Sequence, residues 1–279
     1  MSNNLPESKQ IAVLSALVEG VSIRATSRMT DVSQPTILSL LVRMGEGCAA
    51  LHDSIMRGLA CERLECDEIW SFVQKKQRHV REDEDPRTVG DSWTFVAIDA
   101  DTKLVPSYLV GKRTAADTSK FIADLKGRLT NRVQISTDGL SLYINAIDDA
   151  FGCDVDYAMI VKSYESEPAG PGRYSPPKVT STEKTIIMGS PDEDLISTSY
   201  VERDNLTMRM QMRRFTRLTN GFSKKPRNHA AAVALHFAHY NLCRIHQTLR
   251  TTPAMAAGVS DHVWSMEELL NAALHGERQ

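Results

Sequence analysis

Along the first sixty residues, apolar positions recur at helical spacing. Ile11, Leu14, Leu17 and Val18 mark one face of a first helix, and Gly20 supplies its stop. A short second helix fits residues 22–29 with Ser22 as its cap, and Thr30, Asp31, Val32 and Ser33 make a tight connection. A third helix then starts at Gln34, with Pro35 in its first turn and Ile37, Leu38, Leu41 and Val42 inside. This is helix-turn-helix spacing, in which the third helix enters the major groove of DNA and Ser33, Gln34, Thr36 and Ser39 stand near its leading end. A plain three-helix bundle gives the same pattern, and the segment is charge-balanced, so DNA binding is one of two readings here.

From Cys61 the period shortens. Residues 64–73 (LECDEIWSFV), 92–100 (SWTFVAIDA) and 103–111 (KLVPSYLVG) are rich in β-branched and aromatic residues, and the turn at 99–102 joins the last two into a meander. The intervening stretch 74–90 is charged and contains Pro86, which predicts a solvated loop. Residues 114–129 predict a helix with Phe121, Ile122 and Leu125 on one face. Residues 132–137 predict a strand, 140–151 a helix and 155–161 a further strand. Residues 162–199 contain five prolines and predict a long loop insertion, after which 201–218 and 228–246 read as two long helices. The predicted order is βββαβαβα. It divides the chain into a helical unit at 1–60, a mixed α/β domain at 61–250 and a tail at 251–279.

Composition fits a globular chain: 279 residues, 42% hydrophobic and 24% charged. With no long apolar run and no basic-then-apolar leader, the expectation is a cytoplasmic protein without a membrane partner. Cys48, Cys61, Cys66, Cys153 and Cys243 form no Cys-x-x-Cys pair, so free thiols are expected rather than a zinc site. Net charge is −2, which alone gives no reason to expect a polyanion partner. The distribution changes that picture. Between Arg203 and Arg250 stand ten Lys or Arg against the single acid Asp204, a segment of +9 in a remainder of −11. Nearby charges dominate under screening, so such a block can attract nucleic acid; a solvated helix face is the plainer meaning of the same run.

Three acids sit where this fold would converge them. Asp67 lies inside the first strand among Leu64, Ile69, Trp70 and Phe72, where a carboxylate is costly without a partner. Asp138 ends the fourth strand in Ser136-Thr137-Asp138-Gly139, and Glu202 opens the helix beyond the long loop. If the first and fourth strands are neighbours, their acids meet, and the helix adds the third. Oxygen ligands of this kind suit Mg²⁺, and two such ions clamp the attacking and leaving oxygens of a phosphodiester. Each acid also has a simpler reading. A one-residue register shift exchanges Asp67 for Glu68, Asp138 can cap the following helix, and Glu202 can be an acid favoured by a helix N-terminus.

The blocks Cys66-Asp67-Glu68-Ile69-Trp70, Ser136-Thr137-Asp138-Gly139 and Tyr200-Val201-Glu202-Arg203-Asp204-Asn205-Leu206-Thr207 resemble the catalytic blocks of bacterial DDE transposases of the insertion-sequence-one type. Arg213-Arg214-Phe215, Gly221-Phe222-Ser223-Lys224-Lys225, Tyr240-Asn241 and Arg250-Thr251-Thr252-Pro253 are similar to that family's C-terminal end. The resemblance implies a ribonuclease-H-like mixed sheet with Asp67, Asp138 and Glu202 as catalytic metal ligands for two Mg²⁺ ions, Mn²⁺ being an alternative. It implies DNA contacts by Arg209, Arg213, Arg214, Arg217, Lys224 and Lys225. It also implies double-stranded DNA partners, namely transposon ends and target, and a homo-oligomer to hold a pair of ends. The implied activity is cleavage at the element ends and joining of 3′-hydroxyls to target DNA. A DNA-binding regulator, an inactive domesticated relative and a nuclease without strand transfer are the alternatives. Members often carry a cysteine-rich zinc finger ahead of the helix-turn-helix, a pattern this sequence does not show. His236, His239 and His246 lie on a helix rich in Ala and Leu, which favours packing over catalysis.

Overall fold

The computed structural model describes residues 5–164, 179–216 and 219–276. Three helices open the chain: α1 (Glu7–Val18), α2 (Ile23–Thr30) and α3 (Gln34–Ile55). Their boundaries follow the local chemistry. Gly20 takes φ 77° just beyond α1, Ser22 caps α2 by accepting the Ala25 N–H at 3.2 Å, and Asp31 turns the chain at φ 54°. Ser33 caps α3, accepting the Thr36 N–H at 3.4 Å.

The sheet is built from β1 (Arg63–Val73), β2 (Gly90–Asp99), β3 (Ser107–Gly111), β4 (Val133–Asp138), β5 (Val155–Tyr164) and β6 (Val179–Met188). Its spatial order is β3-β2-β1-β4-β5-β6, with β1 parallel to β4, β4 parallel to β5, and the other pairs antiparallel. Helices α4 (Ala115–Lys126) and α5 (Leu142–Phe151) form the crossovers. An antiparallel meander continued by two parallel strands is the ribonuclease-H-like mixed α/β arrangement that the resemblance implied, flanked at both ends by helices. After the sheet come α6 (Ser199–Gln211), α7 (Pro226–Leu242), α8 (Pro253–Ala256) and α9 (Met266–His275).

Two cores separate the faces of the sheet. Leu64, Cys66 and Phe95 bury against Phe121 and Leu125 of α4 and Tyr143 and Ile147 of α5, in a core that continues into α1, α3 and α9. On the other face, Ile69, Val96 and Ile98 meet Val201 and Met208 of α6 and Val233, Phe237 and Tyr240 of α7. The region at 253–276 contributes Ala254, Leu269 and Leu270 to the first core.

Three elements depart from the pattern reading. The strand expected at 103–111 pairs only from Ser107. Lys103 adopts φ 61°, Pro106 has no N–H to give, and both backbone groups of Val105 bond the Asn241 side chain of α7 at 3.0 Å instead. The loop expected at 162–199 contains β6, because the Thr-rich run at 179–188 pairs with β5 as an edge strand whose side chains stay mostly exposed. Its lack of a buried face hid it from hydropathy. Helix α6 ends at Gln211 rather than 218, where Met212 turns extended at φ −113°, ψ 106°. All five cysteines are free, as expected. Among the described residues no helix is long and apolar enough to cross a membrane.

Helix α3 crosses α7 and α9 through two glycines. A Cβ on Gly45 would lie 2.3 Å from the Ala231 carbonyl oxygen, and one on Gly47 would lie 2.0 Å from that of Ala273. These approaches are closer than any side chain tolerates, so the backbones meet directly. We expect Gly45→Ala to lower the unfolding free energy by about 1–3 kcal/mol through overpacking, read as a lower urea midpoint at unchanged slope; a midpoint equal to wild type would contradict the close crossing.

Candidate metal centre and nucleic-acid interface

Parallel pairing of β1 with β4 sets Cys66 level with Thr137, so the next residues, Asp67 and Asp138, stand side by side where β4 ends. Past this point β1 no longer pairs with β4 and continues against β2, bridging Ser223 at Val73, which opens the sheet edge where β4 ends. One carboxylate oxygen each from Asp67, Glu68 and Asp138 lies within 4.8 Å of the others. Sequence reasoning offered Glu68 as a replacement for Asp67; the fold places the two together.

The partners of each acid differ. Asp67 accepts the Glu68 N–H at 2.8 Å and the Asn205 side-chain amide at 2.8 Å. Asp138 uses one oxygen to accept the Leu140 N–H at 3.0 Å, a turn bond ahead of α5 rather than the helix cap weighed for it, while the other lies 3.9 Å from Arg113. Glu68 is buried and pairs with Arg113 at 3.2 Å. Burial, with the charges of Asp138 and Glu202, pushes the Asp67 carboxyl up to about 6 against the pull of its two N–H donors. Burial raises Glu68 to about 7, where the Tyr143 hydroxyl and Arg113 offset part of the repulsion from Asp138 and Asp67. Carboxylates held so close resist ionisation unless positive charge arrives.

Glu202 stands outside the 4.8 Å group. It pairs with Lys162 of β5 and accepts the Thr198 hydroxyl at 2.8 Å, although its charge reaches Asp67. Its helix is docked by a residue the pattern reading passed over. The buried Glu65 carboxylate accepts the N–H groups of Tyr200 and Val201 at 2.7 and 3.0 Å, capping α6 from β1, since Thr198 makes no side-chain cap. Asn205, three residues past Glu202 and so on the same helix face, then reaches Asp67. Glu65, Glu68, Arg113 and Asn205 thus join the site. The helical spacing of Asn205 from Glu202 was a usable signal; Arg113, in the link between β3 and α4, had none.

Most of the expected DNA contacts gather elsewhere, around a groove of about 1120 Å³ between the N-terminal helices and the stretch after α6. Gln34, Ser39, Arg43, Arg213, Arg214, Lys224 and Lys225 line it, so the leading half of α3 and the basic block share one surface. Ser33 and Thr36 are exposed beside it, their hydroxyls 2.8 Å apart. Arg214 donates to Ser223 at 2.8 Å, and burial lowers it to about 10. Arg209 is half-buried on α6, and Arg217 lies outside the described residues. His236 and His239 are held neutral by burial, at about 3 and 4, and His236 packs against the rings of Phe237 and Tyr240.

No protein-family model and no curated protein matches the chain. Among solved structures, it is similar to the Mos1 transposase paired-end complex with left transposon end, at 15% identity over 52% of this chain and 56% of that one, with a TM-score of 0.22. It is similar also to the Mos1 strand transfer complex, at 17% identity over 52% and 54% of the two chains, with the same TM-score of 0.22. The chain spans about half the length of these solved chains.

The crowding of like charges has a measurable cost. Without divalent cation, Asp138→Asn should raise stability by about 0.5–1 kcal/mol, the low end because the Asp138 side chain is 40% exposed and solvent screens it. Both raised carboxyls favour the folded state at low pH and lose that contribution as pH climbs through about 6 to 7. The gain from Asp138→Asn in urea titrations should therefore be larger at pH 8 than at pH 5; an equal gain at both would contradict the coupling.

Proposed function

We propose that this chain is a DDE transposase of a bacterial insertion sequence, cutting phosphodiester bonds at the element ends and joining the 3′-hydroxyls to target DNA. The observation that carries the reading is the level placement of Asp67 and Asp138 on adjacent parallel strands, with Glu68 in reach, at an open sheet edge. The residues fit a hard cation: the donors are carboxylate oxygens that lie within reach of one another. Asp67 and Asp138 would hold Mg²⁺ or Mn²⁺, with Glu202 completing the trio once it leaves Lys162. Bound there, two ions would supply an activated oxygen nucleophile and stabilise the leaving oxygen.

The chain's own groups do the rest. Asn205 orients the Asp67 carboxylate, and the Leu140 N–H fixes that of Asp138, so neither has to be ordered during reaction. Arg113 is close enough to the acids to meet a phosphate oxygen beside them. The basic groove along α3 takes the duplex backbone, with Ser33, Gln34 and Thr36 toward the bases and Arg213, Lys224 and Lys225 toward phosphates. Two ends joined in one reaction imply a homo-oligomer. One observation favours a second reading, a DNA-binding regulator without catalysis: the Glu202 carboxylate is already engaged by Lys162 and Thr198.

Incubation with labelled DNA ends and Mg²⁺, scored for nicked and joined products, separates the two. We expect Asp138→Asn to abolish both products while DNA affinity stays within about twofold, since it removes a ligand and no phosphate contact. Cleavage undiminished by that change would reject the metal centre. Arg213→Ala with Lys224→Ala, both exposed, should instead make the slope of log affinity against log salt shallower by about 0.9 for each phosphate that is no longer neutralised. An unchanged slope would mean that the basic groove is only a solvated surface.

A further inference from the structure

Beyond the acid cluster, β1 continues as an arm paired with β2, and one of its faces is aromatic. Alternation puts Trp70 and Phe72 on the same face as Glu68, and Trp93 of β2 stands directly opposite Trp70. Trp70 and Phe72 rings lie 5.7 Å apart, and Phe72 stacks on Phe222 at 5.0 Å with 29° between planes. All four aromatics are partly exposed, and Trp70, Phe72 and Phe222 belong to neither hydrophobic core of the described residues. Cations accompany them: the Lys76 ammonium is 5.8 Å from the Trp70 ring and the Arg113 guanidinium 4.8 Å from that of Trp93.

The two ends of this strip are informative. At one end Arg113 reaches Glu68 and Asp138. At the other, Phe222 lines the basic groove together with Lys224 and Lys225. The aromatic strip therefore bridges the candidate metal centre and the helix-turn-helix surface, two regions that the sequence motifs left unconnected.

Resting on the reading of DNA as substrate, we propose that Trp70, Phe72, Trp93 and Phe222 form a stacking platform for unpaired bases of a single DNA strand, with Lys76 and Arg113 taking its phosphates. Partly exposed rings alternating with cations are the surface that single-stranded nucleic acid recognises, through base stacking and backbone charge together. A paired duplex hides its base faces and gains nothing from the rings, so the platform selects for strand separation. Stacking is also the stronger of the competing contacts. A base covers the whole face of a ring, whereas a solvated cation touches it at one point, so a base displaces Lys76 from Trp70 and frees it for the backbone.

Tryptophan fluorescence tests this directly, because the chain has three tryptophans. Trp264→Phe leaves only Trp70 and Trp93 reporting. Titration of the full-length protein with oligothymidylate of about ten nucleotides, in chelator so that no cleavage occurs, should quench the emission to saturation, while a blunt duplex of equal length should quench it far less. Trp70→Ala should weaken single-strand affinity by about 5- to 100-fold and leave duplex affinity unchanged. Trp70→Leu, which keeps the apolar bulk, should weaken it comparably at an unchanged urea midpoint, separating stacking from folding. Absent quenching, equal quenching by duplex, or unaltered affinity in Trp70→Leu would each overturn the platform. Because the measurement needs no metal, its outcome is independent of whether Asp138→Asn abolishes cleavage.

Discussion

The hydrogen-bonded pairing of β1 with β4 is the constraint on which everything else in the site depends. Two strands whose paired residues stand 71 positions apart (Cys66 with Thr137) are locked in a register that forces two carboxylates to stand level, and a third comes from the very next position on β1. Backbone bonds enforce what side-chain electrostatics opposes. The repulsion cannot be relieved by slipping the register, because a one-residue shift would turn every core residue of β1 toward the wrong layer. The fold thus stores a local deficit of positive charge at an open sheet edge, and burial together with that deficit raises the carboxyls of Asp67 and Glu68.

Around this point the chain commits further polar groups to orientation. Glu65 holds the start of α6 from within the sheet, Asn205 returns from α6 to Asp67, and Leu140 fixes Asp138. The bonds from α6 to β1 span more than a hundred residues of sequence, which is why one helix and two strands behave as a single support. Sites with such buried, positioned acids trade stability for readiness to bind.

Much of the fold could be read from the chain, and the failures have physical causes. Alternation and β-branched content marked β1, β2, β4 and β5, while caps and apolar spacing marked α1 to α5. Edge strand β6 escaped because it buries no face, and β3 was overestimated because Lys103 turns at positive φ and Val105 bonds Asn241 of α7 rather than a neighbouring strand. Within the site, Asp67 was legible as an acid inside a strand, where burial needs a reason, and Asp138 as an acid at the end of a strand ahead of a glycine. Glu68 was seen only as an alternative, since a pattern of period two cannot say that a side chain from the opposite face will curl around a strand end. Arg113 and Glu65 were invisible for another reason: their partners lie far away in sequence.

The glycine crossings of α3 carry a consequence for how distance is measured along a bound molecule. A helix of 22 residues is a rod of roughly 33 Å, and this one is clamped backbone to backbone near its middle against α7 and again against α9. Whatever is gripped at its leading end is therefore held at a set span and angle from the sheet. The helix acts as a fixed ruler rather than as a tethered arm, and the separation between its leading end and the sheet is written into its length.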